Sequence, residues 1–311
     1  MTNKLNPRKK LVLIAGPTAS GKSKLAISLA RKIDGEIINA DSMQIYKEFS
    51  VLSSRPSKAE LKRIEHHLYG ILSVKNYFST GEWLTLTKKK INQCIKKKKL
   101  PILVGGTGLY FNAITKGISK IPHINSKLRN NIRNLHNEIG QKNFYEKLIL
   151  IDPISKNMIS PTDTQRTLRA YEVKIFTNKS IYKWISNTKS DFLDFDIRKI
   201  FIDVPKNTLL RNIYLRTKLM FKKGCVEEVR NFLKLGIDKS LSANKIIGVR
   251  EIEEYLDGSI SMEEVFDIVN IRTRQYAKRQ FTWARGHMKS WNMIYSSDSN
   301  DLFKKAINKI S

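Results

Sequence analysis

Cysteine is nearly absent from this sequence: Cys94 and Cys225 stand alone among 311 residues. With no CxxC pair and no Cys/His cluster, their spacing suggests neither a disulfide framework nor a structural zinc site, and a reducing, cytoplasmic location is expected. Long apolar runs are absent too. The one behind the basic start MTNKLNPRKK extends only from Leu11 to Ala15, too short for a signal peptide or a membrane span, and no later segment reaches spanning length. No low-complexity domain and no repeat of solenoid length is present. Acidic residues are the scarce partner in the charge balance: 28 Asp and Glu face 57 Lys and Arg, a net +29. That excess points to a polyanionic partner, nucleic acid before an acidic membrane surface. Part of it is also the signature of a Lys-rich solvated surface, as in the run Lys96 to Lys99. With 41% hydrophobic residues the chain has ample material for one large domain, or for a core with an insertion.

What is present begins with GPTASGKS, which satisfies G-x-x-x-x-G-K-[ST]. Leu11 to Ala15 before it reads as a buried strand, and Leu25, Ala26, Leu29, Ala30 and Ile33 after it recur at helical spacing. Strand, loop and helix together aim backbone N–H groups and a helix N-terminus at an anion. Gly16 and Gly21 allow close backbone approach, with Pro17, Thr18, Ala19 and Ser20 between them. Lys22 brings a point charge to the outer phosphates, and the Ser23 hydroxyl suits a phosphate-bound Mg²⁺. A diphosphate fits this loop as well as a triphosphate does.

A second strand, Glu36 to Asn39, delivers Asp41 at the start of DSMQIY, and a third, Pro101 to Val104, runs into GGTGLYF. Helices between them, the second over Glu82 to Lys98, make this the beginning of a parallel sheet. From about Lys116 the pattern turns polar and helical, as expected of an insertion. It includes a helix over Asp163 to Phe176 that buries Leu168, Tyr171, Val173 and Ile175. The sheet resumes at Arg198 to Val204. Helices follow over Thr208 to Phe221, Val226 to Leu235, Lys245 to Leu256 and Met262 to Arg285, then a strand over Trp291 to Tyr295 and a terminal helix. The expected fold is α/β, a P-loop-type parallel sheet core (1–115 and 191–311) with a mainly helical insertion (116–190).

Asp41 reads either as a cap or metal-supporting carboxylate, or as a general base beside a bound phosphate. Gln44 carries an amide suited to a purine edge, though its spacing also fits a surface glutamine. Thr107, in a glycine-rich turn, offers a hydroxyl at the wall of the same pocket. The block RTRQYAKRQFTWAR places Arg272, Gln275 and Arg279 near one helix face and Arg274, Lys278 and Arg285 on another, interleaved with Tyr276, Phe281 and Trp283. A solvated basic face is the default for such a pattern, and phosphate contacts with base stacking are the sharper reading. Arg216 is a further cation on a helix.

Taken in order and at their separations, GPTASGKS, DSMQIY, GGTGLY, QRTLRA and KRQFTWAR resemble the bacterial tRNA dimethylallyltransferase (IPP transferase) family over nearly the whole chain. The resemblance implies transfer of a dimethylallyl group from dimethylallyl diphosphate to N6 of adenosine 37, 3′ to the anticodon, in tRNAs reading codons that begin with U. Pyrophosphate leaves. It implies that residues 16–23 hold the diphosphate, that Asp41 activates N6, that Thr107 lies near the reacting centre, and that Lys22, Ser23 and Arg216 engage the diphosphate and its Mg²⁺. It also implies tRNA contacts at Asp41, Ser42, Met43, Gln44, Thr107, Arg129, Gln165, Arg166, Thr167, Leu168, Arg169, Lys245, Gly248, Arg250, Lys278, Arg279 and Arg285, made by a monomer through an insertion that grips the anticodon stem-loop. Two stretches depart from the family pattern: Leu52-Ser-Ser-Arg-Pro56 stands for G-T-A-K-P, and Tyr69-Gly70 replaces the acidic stretch after the His pair. Rival readings are a small-molecule P-loop kinase, an enzyme prenylating free adenine nucleotides, and a non-catalytic RNA-binding protein.

Overall fold

A computed structural model describes residues 9–310; the basic start, residues 1–8, lies outside them. In chain order the elements are β1 (Lys10–Ala15), α1 (Lys22–Lys32), β2 (Gly35–Asn39), α2 (Lys58–Arg63), β3 (His66–His67), α3 (Thr80–Lys96), β4 (Leu100–Gly105) and α4 (Gly108–Thr115). Then come α5 (Ser126–Ile151), α6 (Thr164–Thr177), α7 (Ile181–Ser186), β5 (Asp196–Asp203), α8 (Lys206–Lys222), α9 (Cys225–Leu233), α10 (Val249–Leu256), α11 (Met262–His287), β6 (Asn292–Tyr295) and α12 (Ser299–Ile310). They fall into two compact units, residues 1–112 with 192–311, and residues 113–191. No helix among the described residues is long and apolar enough to cross a membrane.

The first unit is built on a six-stranded sheet in the order β3-β2-β4-β1-β5-β6, every pairing parallel. A parallel sheet is covered on both faces, so its strands are apolar throughout, as β1 is from Leu11 to Ala15. Alternate side chains divide between the faces. Val12, Ile14, Ile102, Val104, Ile200 and Ile202 pack on Leu25, Ala26 and Leu29 of α1 and on Leu302, Ala306 and Ile310 of α12. On the other face Phe201 meets Phe281 of α11, ring centroids 5.9 Å apart. Beyond the strand ends Trp83 stacks on Tyr110 at 4.0 Å and donates its indole N–H to Asn39 O at 2.9 Å.

Register sets the height of the loops. Ala15 pairs with Gly105, and Val104 with Asn39, so the chain leaves β1, β4 and β2 within one residue of the same level. The strand order reverses between β1 and β4, which opens a crevice at their carboxyl ends, where ligands of open α/β sheets bind. Backbone fit there is tight: a Cβ on Gly105 would overlap Ala40 O.

The second unit is helical. Leu148, Ile159 and Ala170 form its small core with Tyr145, Tyr171, Ile181 and Tyr182 around them, and α5 is broken at Gly140, whose φ of 75 is not helical. Helix α6 buries Thr167, Ala170, Glu172 and Val173. Ile175, expected inside, is 47% exposed, because the buried stripe runs one position earlier than the apolar residues suggested.

Two further boundaries differ from the sequence reading. The helix expected from Lys245 begins at Val249, because Gly248 takes a φ of 105 and a 3₁₀ turn occupies Ser242–Lys245. The pair α2 and β3 gave no periodic signal, being only six and two residues long.

The strand-end packing predicts a contrast between two glycines. Gly105→Ala should lower the unfolding free energy by about 1–3 kcal/mol through overpacking. Gly286→Ala, in a helix with nothing within 4 Å of the added methyl, should raise it by about 0.5–1 kcal/mol. Urea unfolding midpoints read both; equal effects would contradict the close approach of Gly105 to Ala40.

Candidate active site

The phosphate loop of the sheet unit runs from Gly16 to the first turn of α1, and Gly21 caps that helix with a left-handed φ of 84. Three outside contacts hold the loop. Gln280 of α11 accepts from Thr18 N–H at 2.8 Å and donates to Gly106 O at 2.9 Å, tying the phosphate loop to the glycine loop after β4. Asn212 of α8 donates to Ala19 O at 3.2 Å. Arg216, one turn further along α8, donates through Nη1 to Thr18 Oγ1. Among the described residues Arg216 Nε and Ser20 Oγ are buried without a partner, which is unusual for buried polar atoms and fits a loop built to receive a polar ligand.

Asp41 is fixed by its neighbours on β2. Its N–H donates to Asn39 Oδ1 at 2.8 Å and its carbonyl accepts from Asn39 Nδ2 at 2.9 Å. Its own Oδ1 accepts from Met43 N–H at 3.0 Å, closing an Asx turn. The other carboxylate oxygen lies on the side of Gly106, 3.6 Å from where a Cβ there would stand. Thr107 Oγ1 accepts from Ser42 N–H at 2.9 Å and donates to Ser42 Oγ at 3.2 Å, so it joins the glycine loop to the DSMQ turn.

Two cations and one carboxylate share this crevice. Burial pulls the Lys22 ammonium down to about 8, Asp41 opposes the fall and Arg216 adds to it. Its Nζ donates to Pro17 O at 3.1 Å. Burial also lowers Arg216, with Asp41 again opposing. Tyr69, Tyr110 and Tyr276 are each raised, first by burial and then by the Asp41 charge, so their phenols stay neutral around it. The site therefore collects an anion-binding loop, two desolvated cations and a carboxylate at the opening of one crevice.

The two departures from the family pattern meet in space. Arg55 donates to Tyr46 O at 3.0 Å, and its guanidinium fills the volume that a Cβ on Gly70 would need. Gln44 donates both amide hydrogens, to Ser53 O at 2.9 Å and Ser54 O at 3.0 Å, so its amide nitrogen is committed to the turn. Glu228 of α9 accepts from Ser50, Val51 and Leu52 N–H within 2.6–2.8 Å and fixes the same segment.

Most of the remaining predicted positions are exposed or half-exposed. Ser23 is exposed in the first turn of α1. Lys278, Arg279 and Arg285 are exposed on α11, where the Arg285 guanidinium lies 4.5 Å from the Phe281 ring. Lys245 and Arg250 are exposed, with Arg250 paired to Glu254 at 2.8 Å, while Gly248 is buried. In the helical unit Arg129 and Arg169 both reach the buried Glu172, at 3.4 and 3.3 Å, and keep over 40% of their side chains exposed. Arg166 pairs with Asp163 at 2.9 Å, Gln165 is exposed, Leu168 is half-buried and Thr167 is turned inside.

Gln280, Asn212 and Asn39 were not singled out from the sequence. Gln280 sits inside the KRQFTWAR block, but its partner Thr18 is 262 residues away. Asn39 carried the one usable signal, a carboxamide two residues before an Asp at a strand end.

The chain is similar to known proteins over most of its length. A family model described as IPP transferase matches residues 44–287. A tRNA dimethylallyltransferase of Pelagibacter ubique is 52% identical over 92% of each chain. One of Rickettsia felis is 39% identical over 97% of this chain and 98% of that one. Among solved structures, the full-length tRNA isopentenylpyrophosphate transferase of Bacillus halodurans superposes with a TM-score of 0.70 at 28% identity, covering 97% and 95% of the two chains.

The depressed Lys22 makes a prediction about anion binding. Its protonated form holds the anion, so affinity for inorganic pyrophosphate should fall as pH rises through about 8, where a lysine at its ordinary 10.5 would keep its charge. Titration calorimetry between about pH 7 and 9 reads the fall; a flat or rising affinity would remove Lys22 from the anion site.

Proposed function

The chain belongs to the IPP transferase family and is a tRNA-modifying prenyltransferase, and on that footing we propose how its own residues carry the reaction. The donor is dimethylallyl diphosphate and the acceptor N6 of adenosine 37, in tRNAs reading codons that begin with U. The relatives are named as enzymes that prenylate tRNA, which leaves the kinase and the non-catalytic RNA binder without support. The observation that carries the mechanism is Asp41 opposite a phosphate loop flanked by two desolvated cations, Lys22 and Arg216.

In this reading the loop from Gly16 to Ser23 cradles the diphosphate, and Arg216 Nε and Ser20 Oγ, otherwise unpartnered, turn to its oxygens. An anticodon-loop adenosine is single-stranded enough to be flipped into a crevice, as enzymes acting on bases require. The N6 lone pair forms a bond to the allylic carbon, the carbon–oxygen bond to the diphosphate breaks, and pyrophosphate departs with the electron pair. Asp41, held by Asn39 and Met43, takes the N6 proton through its carboxylate. Lys22 and Arg216 answer the charge growing on the leaving group, and because both are already desolvated their attraction for it is strong. Thr107, bound to Ser42, keeps the glycine loop and the Asp41 turn in one piece beside the reacting atoms.

A hard cation fits the donor chemistry here: Ser23 presents a hydroxyl oxygen at the first turn of α1, and Mg²⁺ takes few protein oxygens besides substrate phosphates. Ser23 would hold the ion, which supplies further charge neutralisation for the diphosphate.

For tRNA, the exposed Arg166 and the half-exposed Arg129 and Arg169 of the helical unit offer phosphate contacts. Lys245, Arg250, Lys278, Arg279 and Arg285 do so on the sheet unit. This reading takes the enzyme as a cytoplasmic monomer.

Two measurements separate these roles. Asp41→Asn keeps the Asx turn but loses the base; single-turnover transfer should fall by about 10²–10⁴-fold while tRNA affinity holds. Normal transfer would take the base away from Asp41. Replacing Arg166 and Arg169 by Ala should weaken tRNA binding and flatten log K against log salt by about 0.7–0.9 for each phosphate that is no longer neutralised. An unchanged slope would place the phosphates elsewhere.

A further inference from the structure

Sequence spacing hid one cluster that folding assembles. Glu36 at the start of β2, His67 at the end of β3 and Cys94 in the last turn of α3 bring one carboxylate, one imidazole and one thiol together, all buried, with ligand atoms within 4.8 Å of one another. His67 Nε2 lies 2.7 Å from Glu36 Oε2, and Cys94 Sγ donates to the same oxygen at 3.4 Å. Lys97, half-exposed at the rim, reaches Glu36 Oε1 at 3.2 Å and Glu65 at 3.4 Å.

We propose that Glu36, His67 and Cys94 form a structural site for one thiophilic divalent cation, Zn²⁺ foremost, with water in the fourth position. Cost, charge and geometry each favour it. A buried carboxylate, imidazole and thiol are a costly way to fill a sheet edge that apolar side chains would fill better, unless the three share a ligand. The donor set is that of zinc, and one thiolate with one carboxylate neutralises a 2+ ion, so the filled site is uncharged while Lys97 keeps Glu65 as its partner. Tetrahedral bonds of about 2.0–2.3 Å separate ligand atoms by roughly 3.3–3.8 Å. Cys94 and Glu36 already stand in that range, and His67 and Glu36 need to open by less than about 1 Å.

The exchange balances simply. The ion enters, the Cys94 thiol proton leaves to solvent, and His67 offers its Nε2 lone pair by carrying its proton on Nδ1. The site stands apart from the reaction but supports it. Strand β3 is a two-residue edge strand paired only with β2, and the carbonyl of Leu68, next to His67, accepts from the same Asn39 amide that holds Asp41. A metal staple at His67 would steady that chain of contacts.

The test uses the whole chain, stripped of metal and titrated with Co²⁺ alone, followed by absorption. One equivalent should bind with a thiolate-to-cobalt charge-transfer band, which Zn²⁺ then displaces. Because the chain has only two cysteines, Cys225→Ser should keep the band and Cys94→Ser should lose it, along with any Zn²⁺-dependent rise in melting temperature. No band in the wild type, a band lost in Cys225→Ser, or one kept in Cys94→Ser would each overturn the proposal and leave the trio a hydrogen-bonded cluster.

Discussion

Three parallel strands stopping at one level is the constraint on which the site depends. Ala15, Gly105 and the residues flanking Asn39 stand side by side in register, so the phosphate loop, the glycine loop and the Asp41 turn emerge together. A slip of one residue in a parallel pair would reverse every side chain and separate the three. The close fit of Gly105 against Ala40 and the packing of alternate side chains on α1 and α12 oppose that slip. The catalytic geometry is thus inherited from packing. The cross-links Gln280 to Thr18 and Gly106, and Thr107 to Ser42, then lock loops that the strands have already aimed.

Charge is arranged against this frame at some cost. Lys22 and Arg216 are held in surroundings that disfavour their charged forms, with Asp41 as their nearby answer. A polyanion would relax such a site, and that is the role proposed for the diphosphate. Asp41 is held instead through its backbone N–H and C=O by the Asn39 carboxamide and through its carboxylate by Met43 N–H, which leaves both cations open to the diphosphate proposed as their ligand.

Much of the sheet was legible because its signals are local. The apolar run Leu11 to Ala15, the glycine loops and the helical spacing of Leu25 and Leu29 each lie within a few residues. What was hidden depends on distance in sequence. Gln280 and Thr18 meet across 262 residues, and Arg55 fills the space left by Gly70, so two departures that read as separate oddities form one local repacking. Cysteine spacing likewise gave no hint of metal chemistry, because Glu36, His67 and Cys94 come from three elements. The inward turn of Thr167 and the outward turn of Ile175 show the other limit: on a short helix of mixed composition, one residue of phase decides which face is buried.

The most direct test is mass spectrometry of unmodified tRNA incubated with the protein, Mg²⁺ and dimethylallyl diphosphate, with ATP as the parallel donor. The account predicts one dimethylallyl mass gain, on a single anticodon-loop adenosine, and none with ATP. Turnover of ATP with no gain from the allylic donor would contradict it, for the phosphate loop would then be transferring phosphate instead of discarding it.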